Sequence, residues 1–240
     1  SNKLMKILHI NGTAYGGAAN FVVDLHNKLL EKEVESFIYF PKKRNIEKII
    51  FPNSIFFKIN SILKNIFNKI INRIIFRKNH TITLAFFKSY EIKKIIKKIK
   101  PDIIHLHWIG NEFLSLNEIK KINIPVVWTL HDMWVFLPVE HYISENTNDK
   151  QSFLIKISNV FSKFFLKKKR SLNTRTIKFI PTSKWMENKI FKSGLFEGNK
   201  IKRIPCGVDF DKWYPENKEQ SKNILSLNKE KRIILFISMG

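Results

Sequence analysis

Acidic side chains are few: 20 Asp and Glu stand against 43 Lys and Arg in 240 residues, a formal charge of +23. Cysteine is nearly missing, and the single Cys206 excludes an intramolecular disulfide and any cluster of thiolate metal ligands. That usage suits a reducing cytoplasm. Long apolar runs are absent too: none reaches the roughly 18 residues of a spanning helix. The opening residues lack a signal-peptide layout, and Ser1-Asn2 reads as a cleaved-tag remnant, left out of the fold reasoning. What is present is a chain 44% hydrophobic and 13% aromatic, which excludes a disordered polybasic tail and allows a sizeable core.

The excess charge is regional. Residues 42–100 hold 16 basic and 2 acidic residues, and 150–170 hold 7 basic and none acidic, so the rest of the chain is nearly neutral. Ile, Lys, Asn and Phe are all over-used, as an AT-rich genome would produce, and part of the Lys count needs no functional reason. Within 54–100, Phe56, Phe57, Ile62, Ile66, Phe67, Ile70, Ile71, Ile74 and Ile75 lie among Lys and Arg in a helical pattern. Basic amphipathic helices of this kind bind anionic membrane surfaces. The alternative is that the apolar side packs on the domain and the charge is solvated. Nucleic acid is not expected as a partner, because no motif of the usual binding modules accompanies the charge.

Strand and helix signals alternate. Apolar runs at 5–10, 36–40, 102–107, 125–130, 177–180 and 202–205 suit buried parallel strands. Helical spacing is present at 18–30, over most of 54–100, and at 112–122, 153–171 and 184–192. The expected fold class is α/β: a Rossmann-like doubly wound parallel sheet with helices on both faces, whose ligands meet the carboxyl ends of the strands. Residues 3–214 are expected to form that domain. A polar linker and a fresh strand at 231–240 follow, so 215–240 reads as the linker and first strand of a further domain.

The candidate site residues sit at strand ends. Gly16 and Gly17 lie between the first strand and first helix, where bare backbone N–H groups suit a phosphate, although a tight turn explains them equally. The spacing is not that of a dinucleotide fingerprint. His105 and His107 point the same way from one strand and make at most half a metal site, with no third ligand of suitable spacing; with Trp108 they suit the wall of a sugar site. His131 and Asp132 follow the strand expected at 125–130, a polar pair that packing alone hardly explains; acid/base or substrate-binding work is the expectation, with a capping Asp and a structural His as the alternative. In Pro181-Thr-Ser-Lys-Trp185, Thr182 or Ser183 is the expected helix N-cap, and Ser183 is also a candidate substrate contact. No metal and no cofactor is expected.

Five motifs then fall in one order: Ile10-Asn-Gly-Thr-Ala-Tyr-Gly-Gly-Ala-Ala19, Pro101-Asp-Ile-Ile-His-Leu-His-Trp108, Val127-Trp-Thr-Leu-His-Asp-Met-Trp134 with His141-Tyr142, Pro181-Thr-Ser-Lys-Trp185, and Ile204-Pro-Cys-Gly-Val-Asp-Phe-Asp-Lys-Trp213. The chain resembles the N-terminal half of family-4-type retaining glycosyltransferases, which have the two-domain GT-B fold. The resemblance implies transfer of a sugar from a nucleotide-sugar donor to a glycan or lipid-linked acceptor, in building a surface polysaccharide or lipopolysaccharide. It places His131 at the transferred sugar, Asp132 at sugar or acceptor hydroxyls, Gly16-Gly17 at the donor diphosphate or acceptor, and His107 and Trp108 on the acceptor side. It also implies that this chain alone is inert and that the enzyme is cytoplasmic, held on the inner leaflet by its basic region. Two departures are Cys206, where Asn is common, and Leu137-Pro-Val-Glu140, where a Gly-Gly-Cys-like stretch is usual. The other readings are a GT-B nucleotide-sugar epimerase and a non-enzymatic basic module.

Overall fold

The structure, a computed structural model, describes residues 4–76, 82–89, 91–142, 153–172 and 176–235. The strands are β1 (Lys6–Ile10), β2 (Glu35–Tyr39), β3 (Ile49–Ile50), β4 (Ile103–Leu106), β5 (Val126–Leu130), β6 (Ile177–Pro181) and β7 (Lys200–Ile201). They form one sheet in the order β3-β2-β1-β4-β5-β6-β7, with every pair parallel. From β1 the chain winds outward to β3, then returns to β4 and winds the other way. The connections therefore diverge between β1 and β4, which is where such sheets open a crevice.

The pleat sorts side chains onto two faces. Leu8, Ile10, Tyr39, Ile104, Leu106, Trp128 and Leu130 join the main buried cluster. Helices α3 (Ile92–Ile99), α4 (Leu116–Lys120) and α6 (Lys184–Lys192) cover that face through Ile92, Ile95, Leu116, Ile119, Met186 and Ile190. On the other face Ile38 and Phe40 meet Ala19 and Val22 of α1 (Gly17–Glu31). Complete burial of side chains such as Leu8 and Leu106 is worth about 1.5–3 kcal/mol each.

The basic region is helical over most of 54–100, as expected, but interrupted. Helix α2 (Ile55–Ile71) runs into a single π-helical turn, Asn72–Phe76, and residues 82–89 are not helical. Glu112 is the reason. It lies outside the helix expected at 112–122, with a left-handed φ of 53°. Its buried Oε1 accepts from Leu84 N (2.6 Å), Ala85 N (2.8 Å) and Asn68 Nδ2 (2.9 Å), and its Oε2 from Phe86 N (3.0 Å). Helix α4 starts later, at a capping box between Ser115 and Glu118.

Helix α2 is inside out. Lys64 and Asn68 are its buried residues, with Lys64 Nζ donating to Lys88 O at 2.8 Å. Burial lowers the Lys64 pKa, partly offset by the nearby Glu112 and Glu118. Ile55, Phe56, Ile59, Ile62, Leu63, Ile66, Phe67 and Ile70 are instead 41–76% exposed. Helix α5 (Phe153–Arg170) packs on the π-helical turn and adds exposed Val160, Phe161 and Phe164. It is tied down by buried Lys169, which donates to the carbonyls of Trp134 and Leu137 and sits over the Trp134 ring.

Two compact units are present, Ser1–Pro205 and Cys206–Gly240, with the division ahead of the boundary expected after residue 214. The second contains a short helix, α7 (Lys218–Ile224), capped by Asn217, in the stretch expected to be a plain linker. Of the strand expected at 231–240, residues 232–235 are not in a strand and 236–240 lie outside the described residues.

Candidate active site

Strands β1, β4 and β5 bring histidines together. His9 pairs in register with His105, and the period of two puts His107, Thr129 and His131 on that same sheet face, under α1. His9 Nδ1 lies 3.1 Å from His107 Nε2, and His107 Nδ1 lies 3.3 Å from His131 Nε2. His105 Nε2 is 2.8 Å from Thr129 Oγ1. Phe21 of α1 closes over the row, with ring centroids 5.9 Å from His107 and 5.2 Å from His131.

Burial makes these imidazoles poor cations. It pushes His131 down to about 4, against a raising effect from Asp132, and His105 down to about 3, with His131 adding to the fall. His9 and His107 are held well below the usual histidine value, by burial first and then by their neighbouring histidines. At neutral pH the row is uncharged.

Asp132 has other partners than His131. Its Oδ1 accepts from Trp134 N (3.0 Å), and its Oδ2 takes a 2.5 Å hydrogen bond from His141 Nδ1. His141 Nε2 meets Thr83 Oγ1 at 2.9 Å, and the Trp108 indole Nε1–H approaches the same imidazole at 3.2 Å. Asp132 therefore organises the wall next to His131 through His141. Trp108 is seated by neighbours with no side chain: a Cβ on Gly110 would fall 2.2 Å from its indole, and one on Gly12 would fall 2.7 Å from Gly110 O. Trp108 N also donates to Asn11 Oδ1 at 2.9 Å.

Gly16 caps α1 with φ 91° and ψ 179°, a backbone region that only glycine occupies at low cost. Gly17 follows as the first helical residue, and a Cβ there would meet nothing within 4 Å. The space around His131 itself is small, about 10 Å³, walled by His107, Trp108, Thr129, Asp132 and His141. A larger cavity of about 260 Å³ adjoins the loop at Gly12–Tyr15, lined also by Lys42, Asn60, Asn65 and Asn111.

The sequence-predicted residues are thus partly gathered. His107, Trp108, His131 and Asp132 share one cavity wall. Gly16 and Gly17 start the helix that covers His107 and His131. Ser183 is not among the lining residues of either cavity, and its hydroxyl accepts from Met186 N as the cap of α6. Sequence spacing missed His9, which supplies the third imidazole beside His105 and His107 from a different strand. Ligand atoms of the three lie within 4.8 Å of one another, close enough to converge on a cation. Both His107 nitrogens, however, are already turned to His9 and His131. The signal for His9 was its position one residue before the end of its strand, in a sheet order that makes β1 and β4 neighbours.

The family described as Glycosyltransferase Family 4 matches residues 15–212. Among solved structures, the chain is similar to sucrose-phosphate synthase from Thermosynechococcus elongatus, at 13% identity and a TM-score of 0.55, covering 94% of this chain and 53% of that one. A glycosyltransferase from Rickettsia africae ESF-5 aligns at 16% identity and TM-score 0.48 (95% and 51% covered). A UDP-N-acetylglucosamine 2-epimerase from Rickettsia bellii aligns at 12% and 0.47 (94% and 52%). The chain spans about half the length of these three. No curated protein matches it.

Proposed function

Because the chain belongs to Glycosyltransferase Family 4, we propose that it is the acceptor-side half of a retaining hexosyltransferase, transferring sugar from a nucleotide-sugar donor to a lipid-linked or polysaccharide acceptor in cell-surface glycan synthesis. The observation that carries this reading is His131: a neutral imidazole at the carboxyl end of β5, in a wall shared with His107 and Trp108. An uncharged ring suits hydrogen bonding to sugar hydroxyls, and the indole offers an apolar face to sugar C–H groups. Asp132 holds that wall through His141. The amides of Asn60, Asn65 and Asn111 beside the Gly12–Tyr15 loop suit a hydroxyl-rich acceptor.

In the proposed reaction the bond from the anomeric carbon to the diphosphate breaks and a bond to an acceptor oxygen forms on the same face. The leaving phosphate takes the acceptor proton. Gly16 and Gly17, the N-cap and first residue at the positive end of α1, favour the charge that develops on a phosphate. No metal or cofactor takes part, and the donor nucleotide is held mainly by residues outside this chain. The test is release of nucleoside diphosphate from a panel of nucleotide sugars by the full-length enzyme, with the chain described here alone as control. We expect turnover by the full-length enzyme that falls at least about a hundredfold in His131→Ala. An undiminished His131→Ala enzyme would overturn the assigned role, and transfer by this chain alone would overturn the division of labour.

We further propose a cytoplasmic enzyme, peripheral on the inner face of the membrane. The outward apolar stripe of α2, continued by Val160, Phe161 and Phe164 of α5, supports this, because exposed Lys58, Lys69, Arg73, Lys163 and Lys167 surround it with positive charge. Cosedimentation with anionic phosphatidylglycerol vesicles, but weakly with phosphatidylcholine, is the expected result. Equal binding to both, or none, would count against it.

A further inference from the structure

The histidine row has a direction. His9 is fully buried, and its Nε2 has no hydrogen-bond partner among the described residues. A neutral imidazole carries one N–H and one lone pair. In the row His9 Nδ1···Nε2 His107 Nδ1···Nε2 His131, each contact needs one hydrogen, so the tautomers must run in series. If the hydrogens point inward, His131 and His107 both donate from Nε2, and His9 is left with its only N–H on the unpartnered Nε2. If they point outward, His9 donates from Nδ1 to His107, and His107 donates from Nδ1 to His131. The unmet atom is then a bare lone pair. Buried N–H groups without an acceptor are the rarer orphan. The outward order is the stable one.

We propose that His9 and His107 are positioning residues that fix His131 as its Nδ1–H tautomer, so that it presents a hydrogen-bond donor, not a base, to an oxygen of the ligand. This rests on the reading of His131 as a sugar-contacting residue. The ligand atom it serves is an acceptor, either a sugar hydroxyl oxygen or a phosphate oxygen. It also divides the chemistry: with its Nε2 occupied and its Nδ1 protonated, His131 has no free lone pair to take the acceptor's proton, so that proton must go elsewhere. Among the described residues the row is moreover a dead end, since no further group there receives a proton from His9 Nε2. It sets a tautomer and does not conduct.

Histidine ring ¹⁵N NMR on the uniformly labelled 240-residue chain reads this directly, without substrate. His9, His107 and His131 are each expected with the protonated nitrogen at Nδ1, resonances being assigned by single substitutions. His107→Phe removes the inner partner of His131, and His131 is then expected to move toward the Nε2–H form that free imidazole favours. An Nε2–H His131 in the unsubstituted chain would overturn the proposal even if His107→Phe does not fold. So would an unchanged His131 in a folded His107→Phe chain. Stoichiometric zinc in the purified chain would do the same, because the row's lone pairs would then be ligands. If the tautomers are as expected and His131→Ala leaves transfer intact, the row stands and the sugar-contacting role fails.

Discussion

Replacing Glu112 tests how the basic region is held. Its carboxylate collects three backbone N–H groups, from Leu84, Ala85 and Phe86, and the Asn68 amide. Hydrogen bonds to a charged group are worth about 1.5–3 kcal/mol each, although four on one carboxylate do not add, and its own desolvation offsets part of the sum. Glu112→Gln keeps one oxygen for Leu84, Ala85 and Asn68 but turns an NH₂ toward Phe86 N–H, for an expected loss of about 2–3 kcal/mol. Glu112→Ala leaves all four donors unmet and removes the carboxylate that most offsets the lowered Lys64, for about 4 kcal/mol or more. That is a large part of the roughly 5–15 kcal/mol stability of an ordinary domain. The left-handed φ of 53° is common to both variants and cancels in their comparison. Urea unfolding gives the global loss, and amide exchange at 84–86 and along α2 locates it. An Ala variant within about 1 kcal/mol of the parent, or Gln and Ala variants that behave alike, would refute the reasoning.

Acid should weaken the fold through the histidine row. His9, His105, His107 and His131 are held neutral by burial in the folded state, while the unfolded chain takes up protons near 6.5. Their contribution is complete above about pH 6.5 and is lost as pH falls toward the folded values, at up to about 1.4 kcal/mol per pH unit for each ring. Urea midpoints at about pH 7.5 and 5.5 should differ strongly, and equal midpoints would contradict the burial. Gly17→Ala should leave the melting temperature unchanged or slightly raised, since its Cβ meets nothing, yet weaken transfer if a ligand uses that space. Gly16→Ala should cost about 1–3 kcal/mol through backbone strain alone. Ser183→Ala should cost about 1 kcal/mol of stability as a lost cap, with KM unchanged. Aspartate at Ile59, Ile62 and Ile66 should abolish vesicle binding without unfolding the chain, because all three are exposed.

Much of the sheet was legible because strands buried on both faces leave compact apolar runs, and helix α6 has the expected limits, 184–192. The strand-end position of His131 followed from the same reading. Four features resisted. Strand β3 is two residues long, too short for any periodicity. The stripe Phe56, Ile62, Ile66, Ile70 shows which residues share a helix face, but periodicity cannot say whether that face turns inward; the buried contacts of Lys64 and Asn68 decide it. Residues 112–115 have a helical composition, yet Glu112 is taken up by a segment more than twenty residues earlier, an interaction of tertiary origin. His9 reads as one polar interruption in an apolar strand until the strand order places it beside His105.

The anchoring of α2 from within also sets a geometry. A helix that floats on its lipid contacts can roll and adjust its depth, whereas this one is pinned by Asn68 on Glu112 and by Lys64 on the Lys88 carbonyl. Its outward stripe is then a fixed plane on a rigid body. The Gly12–Tyr15 loop and the cavity beside it, which Asn60 and Asn65 of the same helix help to line, keep a constant offset from that plane. Under the proposed membrane-bound reading, an acceptor's sugar would have to extend across that offset to reach the cavity.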